Sequence, residues 1–279
     1  MSGILYVTGT PIGNLEDITL RQLRILEEVD FIAAEDTRVT RKLLTHFDLK
    51  TPLVSYHDHS GAAAAQAIAD RIEAGENCAI VTDAGMPCIS DPGEDLVRLC
   101  AENSIPIEVV PGPSALISAL AVSGLDTSRF SFEGFPSVTK RSRFERLAAC
   151  AKDDRTLIFY EAPHKLISTL ADLYKFFGER KITLCRELRK VHEEIIRTTL
   201  SEAQTLYDES HQPRGEYVLV VEGAREAAEE EATPESALEQ VKALVAKGMR
   251  GADACREIAK TTGISKSELY SLLLESNND

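Results

Sequence analysis

Between Val81 and Glu94 the chain reads TDAGMPCISDPG, a stretch with two Asp, two Gly and two Pro. It follows the apolar run 78–81 and precedes a segment with helical spacing. An ordinary strand-to-helix connection takes roughly 2–6 residues, so a longer and locally stiff one marks a place where an α/β sheet binds ligands. Asp83, at the strand end, is placed to accept hydrogen bonds from an amino or hydroxyl group, or to fix the loop by bonding its own backbone amides. Gly85 lacks a Cβ and admits close backbone approach. Pro87 and Pro92 restrict the loop, which lowers the cost of ordering it around a ligand.

Other proton-accepting side chains fall at predicted strand ends. Glu35-Asp36-Thr37-Arg38 joins a carboxylate pair to a guanidinium, fit either for ribose and phosphate or for a structural ion-pair cluster. His57-Asp58-His59 puts two imidazoles on one strand face. A metal site would need a third ligand of convincing spacing, and none occurs, so substrate contact or packing is the reading for this pair. Tyr160-Glu161 ends a later strand, Glu216-Tyr217 begins another, and Glu187 lies near a hairpin turn. Glu35, Asp36, His57 and Glu161, with Asp58, His59 and Glu187, are the candidates for a general base.

The elements that must position these groups alternate. Short apolar strands are predicted at 5–8, 31–34, 53–56, 79–82 and 107–110, with helices at 20–28, 41–47, 61–74 and 94–102 between them. Strands apolar on both faces belong to a parallel sheet covered by helices. After Gly124 the pattern changes: strands at 130–135, 156–160, 182–186, 193–199 and 217–221, helices at 143–152 and 164–177, and a hairpin within 181–200. The division is therefore 1–124 and 125–223 for two α/β domains, 224–235 for an acidic linker and 236–279 for a helical module. Within that module, residues 252–270 have the pattern of a helix-turn-helix, which reads first as a three-helix packing unit and, more sharply, as a basic surface for nucleic acid.

Composition narrows the field. The 279 residues are 43% hydrophobic and 27% charged, and no run approaches the roughly 18 apolar residues of a membrane span. MSGILYVTGTPIGN has no basic region ahead of its apolar stretch and reads as a first strand rather than a signal peptide. Six Cys without a C-x-x-C pair read as reduced core residues of a cytoplasmic protein. The net charge of −14 argues against bulk, non-specific nucleic-acid binding. A local basic run at 137–146, SVTKRSRFER, stands against that background.

The turn after the first strand, VTGTPIGN, has Pro11 where a dinucleotide fingerprint needs Gly, and no Gly-Lys-Ser or Gly-Lys-Thr occurs for a P-loop. The glycine-rich loop of Rossmann methyltransferases is also missing. A different set of motifs appears in one order: GTPIGNLEDIT (9–19), AAEDTR (33–38), SYHDH (55–59), TDAGMPCISDPG (82–93), VPGPSALISAL (110–120), FEGF (132–135), RTLIFYEAPH (155–164), CREL (185–188) and RGEYVLVVEG (214–223). This set closely resembles the ribosomal RNA small-subunit methyltransferase I family, of the tetrapyrrole-methylase-like class. The resemblance runs almost continuously from residue 4 to 223. Met86 departs from it, since the family loop usually has Thr there, and a hydroxyl is lost.

The resemblance implies an α/β fold of two domains of the tetrapyrrole methylase type, with S-adenosyl-L-methionine in the cleft between them, plus the small C-terminal helical module. It implies 2′-O-methylation of a cytidine in the decoding region of 16S ribosomal RNA, by a homodimer. Cofactor contacts are expected from Thr10, Pro11, Asp83, Gly85, Met86, Ile89, Ser114 and Ala115, with Tyr160, Glu216 and Tyr217 closing the cleft. Lys140, Arg141, Arg143, Arg186 and Lys190 are expected to line the RNA path. The alternatives are a methylase of a tetrapyrrole or another small acceptor in the same fold, and an RNA-binding protein that has lost catalysis.

Overall fold

The computed structural model of the chain describes residues 2–208, 211–224 and 233–276. Internal contacts divide it into two compact units, Met1–Ala224 and Arg225–Asp279. In the first, β1 (Leu5–Thr8), β2 (Phe31–Ala34), β3 (Leu53–Ser55), β4 (Cys78–Val81) and β5 (Ile107–Val110) form a parallel sheet in the order β3-β2-β4-β1-β5. The sequences FIAA and CAIV are buried throughout, as a sheet covered on both faces demands.

Successive strand residues point to opposite faces, and the covering helices sort accordingly. Ile32 and Ala34 meet Ile25, Leu26, Leu43 and Leu44 of α1 (Leu20–Glu28) and α2 (Thr37–His46). Phe31 and Ala33 meet Ile68, Ile72, Leu96 and Cys100 of α3 (Gly61–Glu73) and α4 (Glu94–Glu102). Helix α2 begins four residues before its predicted start, because the Asp36 side chain accepts the Arg38 amide at 2.8 Å and caps it. Since the strands are parallel, the loops after β1, β2, β4 and β5 all emerge at one end.

A second sheet holds β6 (Phe130–Gly134), β7 (Thr156–Glu161), β8 (Lys181–Arg186), β9 (Glu194–Thr199) and β10 (Tyr217–Val221), in the order β6-β7-β10-β8-β9. Only β6 and β7 run parallel; the other pairs are antiparallel, including the predicted β8–β9 hairpin. One face carries Leu157, Phe159, Leu184 and Leu219 onto α6 (Lys140–Cys150), α7 (Pro163–Phe177) and α8 (Leu200–Ala203). The other carries Ile158, Cys185, Val218 and Val220 onto α5 (Ala115–Ser123) and Ile12. Helix α5 ends at Gly124, whose φ of 78° provides the left-handed cap. The core around α5 thus joins the two sheets within one unit.

The second unit packs α9 (Pro234–Ala246), α10 (Gly251–Thr262) and α11 (Lys266–Glu275) around Val241, Cys255, Ile258, Leu269 and Leu273. Ser265 caps α11 by accepting the Glu268 amide, and Gly263 closes α10, as their residue types require. Most of the expected acidic linker, residues 225–232, lies outside the described residues.

Candidate active site

Three loops converge at the carboxyl end of the first sheet. Thr10 and Gly85 exchange backbone hydrogen bonds of 2.8 and 3.1 Å, which bridges the β1 loop to the β4 loop. The Thr10 hydroxyl donates to the Thr82 carbonyl at 3.1 Å, so this side chain holds the loops together and presents only backbone outward. A Cβ on Gly9 would lie 2.8 Å from Gly112 Cα and from Met86 Sδ, so the β1, β4 and β5 loops are in closest packing there. Buried Gln22 completes the junction, donating from Nε2 to the Gly9 carbonyl at 2.6 Å. Met86, where the family motif has Thr, covers Gly9 with its thioether. Pro11 is half-buried beside this junction.

Carboxylates lace the ends of β2 and β4. Glu35 accepts the Thr82 hydroxyl at 2.5 Å and the Asp83 amide at 3.2 Å. Asp83 in turn accepts the Asp36 amide at 3.2 Å. Burial raises the Asp83 carboxyl above its usual range, and the Glu35 charge adds to that. Asp36 behaves oppositely: its hydrogen bonds with Arg38 hold it down to about 2. A carboxylate committed to Arg38 in this way is a weak proton acceptor. The group whose environment suits a base is Asp91. Burial pushes it up to about 6, and the charges of Glu35, Asp58 and Asp83 add repulsion. Cys88 and Ser90, both left-handed with φ of 71° and 62°, turn the loop so that Ile89 between them is exposed.

The second sheet supplies the facing wall. Ser90 Oγ lies 3.5 Å from where a Cβ of Gly134 would stand. Tyr160 packs edge-on to Phe132 and Phe135 at 4.9 and 5.5 Å. Its hydroxyl accepts the Leu116 amide at 3.2 Å, next to Ser114 and Ala115 at the start of α5. Burial raises the Tyr160 phenol, and Asp91 contributes to the shift.

The neighbours of Tyr160 correct the sequence reading. Glu161 points to the opposite face, is 2% exposed, and accepts the Thr169 hydroxyl and the Ala162 amide at 2.5 and 2.9 Å. It therefore caps α7 inside the core and has no access to the crevice. Tyr217 is likewise buried on the α7 side, with its hydroxyl on Tyr207 at 3.3 Å. The period-two alternation of a strand separates Tyr160 from both. Glu216 is exposed and bound to Lys190 at 2.9 Å. His57 and His59 sit in an exposed turn after β3, where His57 Nδ1 accepts the His59 amide at 3.2 Å. Among the described residues no His, Cys, Asp and Glu cluster is suited to a metal ion.

The expected basic path is also uneven. Arg143 is tied to Asp172 at 2.8 Å, with both side chains only 16% exposed, so it is a packing residue. Lys190 bridges Glu187 and Glu216, and Arg186 holds Glu194 at 3.0 Å. Lys140 and Arg141 are exposed at the start of α6, where Arg141 pairs with Glu145. Asp91 is absent from the base candidates that sequence supplies, although it lies in the loop that sequence marks as a site. The signal for it is an acidic side chain between Ser90 and Pro92, at the entry to a helix.

Residues 4–204 match the family model described as Tetrapyrrole (Corrin/Porphyrin) Methylases. A Synechocystis sp. protein named ribosomal RNA small subunit methyltransferase I is 46% identical over 278 residues, 99% of each chain. The protein of the same name from Halalkalibacterium halodurans is 43% identical, covering 97% of this chain and 94% of its own. The crystal structure of uroporphyrin-III C-methyltransferase from Thermus thermophilus, complexed with S-adenosyl homocysteine, superposes with a TM-score of 0.55 at 18% identity, over 79% of this chain and 97% of its own. That likeness concerns the fold, whereas the two full-length relatives decide the kinship: the chain belongs to the ribosomal RNA small subunit methyltransferase I family, among the tetrapyrrole methylases.

Proposed function

We propose that this protein transfers a methyl group from S-adenosyl-L-methionine to the ribose 2′-oxygen of a cytidine in the decoding region of small-subunit ribosomal RNA, working as a cytoplasmic homodimer. The observation that carries the reading is the meeting of the first sheet's tied loops with the second sheet, where Ser90 approaches Gly134 and the Asp91 charge acts on the Tyr160 phenol. The residues present fit the cofactor. Asp83 and Glu35 suit an ammonium group, and the rings of Tyr160 and Phe135 suit a sulfonium. The close packing of Gly9 on Gly112 brings the backbones of the β1 and β5 loops together in the floor. Pro11, Met86, Ile89, Ser114 and Ala115 complete the set that would hold it.

Bound there, the cofactor supplies an electrophilic methyl group. The chain itself has to align the acceptor oxygen for in-line displacement and receive its proton. Asp91 takes the proton, because its pKa of about 6 leaves it ionised at neutral pH and still basic enough to accept one. The names of the relatives favour an RNA acceptor over a tetrapyrrole. The test is to incubate the protein and labelled S-adenosyl-L-methionine with small ribosomal subunits that lack the modification, then map the label. Label on the 2′-oxygen of one cytidine is expected; label on a base atom overturns the proposal.

A further inference from the structure

A second cavity, of about 500 Å³, opens on the second sheet and is lined by Arg186, Glu194, Tyr207, His211, Arg214 and Tyr217 among others. None of these groups serves the crevice. Tyr217 is in register with both Glu161 and Arg186, so the cavity stands at the strand end that bears Tyr160, on the opposite face. Its volume suits one small organic group of nucleotide size, since ligand pockets run to about 300–1,000 Å³.

The lining combines two chemistries. Tyr207 is a fixed aromatic platform, 6.2 Å from Tyr217 at an interplanar angle of 87° and 5.9 Å from His211. Its hydroxyl is held by Tyr217, and burial raises its phenol, so the ring stays neutral. Beside it stand two guanidinium groups. Arg186 uses Nε on Glu194 at 3.0 Å, and its terminal nitrogens bond to no described residue. Arg214 is exposed and pairs with no other residue among those described. Planar rings that stack a base, next to arginines that take a phosphate, form the usual site for an unstacked nucleotide.

We infer that this cavity holds an unstacked nucleotide of the RNA substrate that flanks the methylated one, with its base on Tyr207 and its phosphate on Arg214. The inference rests on the RNA reading given above. The strand end between cavity and crevice is then the ridge over which the RNA bends, with one nucleotide on each side.

The full-length protein and its Arg214→Ala, Tyr207→Leu and Tyr207→Phe variants are titrated with small ribosomal subunits that lack the modification. Affinity for S-adenosyl-L-methionine is measured in parallel. The expected result is an RNA affinity about tenfold weaker for Arg214→Ala and Tyr207→Leu, and a salt slope lower by about one for Arg214→Ala. Tyr207→Phe, which keeps the ring, retains affinity within about twofold, since stacking needs only the π-face. Cofactor affinity stays at the wild-type level and reports an intact fold. Wild-type RNA affinity in Arg214→Ala and Tyr207→Leu overturns the cavity's role and leaves the methyltransferase reading standing. Failure of the wild-type protein itself to bind the subunits overturns both.

Discussion

The Tyr160 hydroxyl accepts the Leu116 amide at 3.2 Å. Leu116 lies in the first turn of α5, where backbone N–H groups have no partner within the helix. A side chain of the second sheet therefore caps a helix that follows the first. Tyr160→Phe keeps the packing on Phe132 and Phe135 and removes only this contact. The expected cost is about 1 kcal/mol of stability in urea unfolding, together with weaker cofactor binding by calorimetry. RNA affinity is expected to stay unchanged.

Asp91 gives a prediction with a definite sign. Its folded pKa of about 6 lies above the ordinary 3.8, so folding favours its protonated form. The stability linked to Asp91 is fully present below pH 3.8 and is lost as pH rises through about 6. Asp91→Asn removes that loss, so the stability difference between variant and wild type should grow across this window and level off above it. Activity should move the other way. Wild-type kcat/KM is expected to rise about tenfold per pH unit below the Asp91 pKa, and Asn is expected to lower kcat by about 10²-fold. An Asp91→Asn enzyme with wild-type turnover and an unchanged pH profile would exclude Asp91 as the base.

Gly9→Ala tests the loop junction by volume alone, because Gly9 is not among the left-handed residues. The added methyl would lie 2.8 Å from both Gly112 Cα and Met86 Sδ. Forced separation of this kind costs about 1–3 kcal/mol. Thermal unfolding and S-adenosyl-L-methionine affinity should both worsen, since the strained loops are the ones proposed to hold the cofactor.

Arg143→Ala separates packing from RNA contact. With Arg143 and Asp172 each 16% exposed and 2.8 Å apart, the loss should lower stability by about 2 kcal/mol. RNA affinity should change less than about twofold, because exposed Lys140 and Arg141 remain. A large fall in RNA affinity at undiminished stability would restore Arg143 to the RNA path.

Much of this was legible in the sequence. The strands FIAA and CAIV announce a covered parallel sheet because every residue is apolar, and the loop at 82–93 announces a site by its length and its Gly, Pro and Asp content. Periodicity also separates Tyr160 from Glu161, yet which of two adjacent residues faces a crevice depends on where the partner layer lies. That is fixed only when α5 docks on one face and α7 on the other. Arg143 and Lys190 were illegible for a similar reason. Asp172 lies 29 residues from Arg143, and Lys190 adds Glu216, 26 residues away, to its near neighbour Glu187; composition does not reveal whether a cation is already neutralised. Asp91 is raised by its burial and by the neighbouring charges of Glu35, Asp58 and Asp83, which come together only in the folded loop.

The paired hydrogen bonds between Thr10 and Gly85 have a mechanical result. Two segments clasped in this way swing as a single plate, so the donor molecule enters and leaves without either one peeling back. Access must then be governed by the far rim, where Ser90 approaches Gly134. A bulky replacement of Gly134 would press on Ser90 and act there as a doorstop.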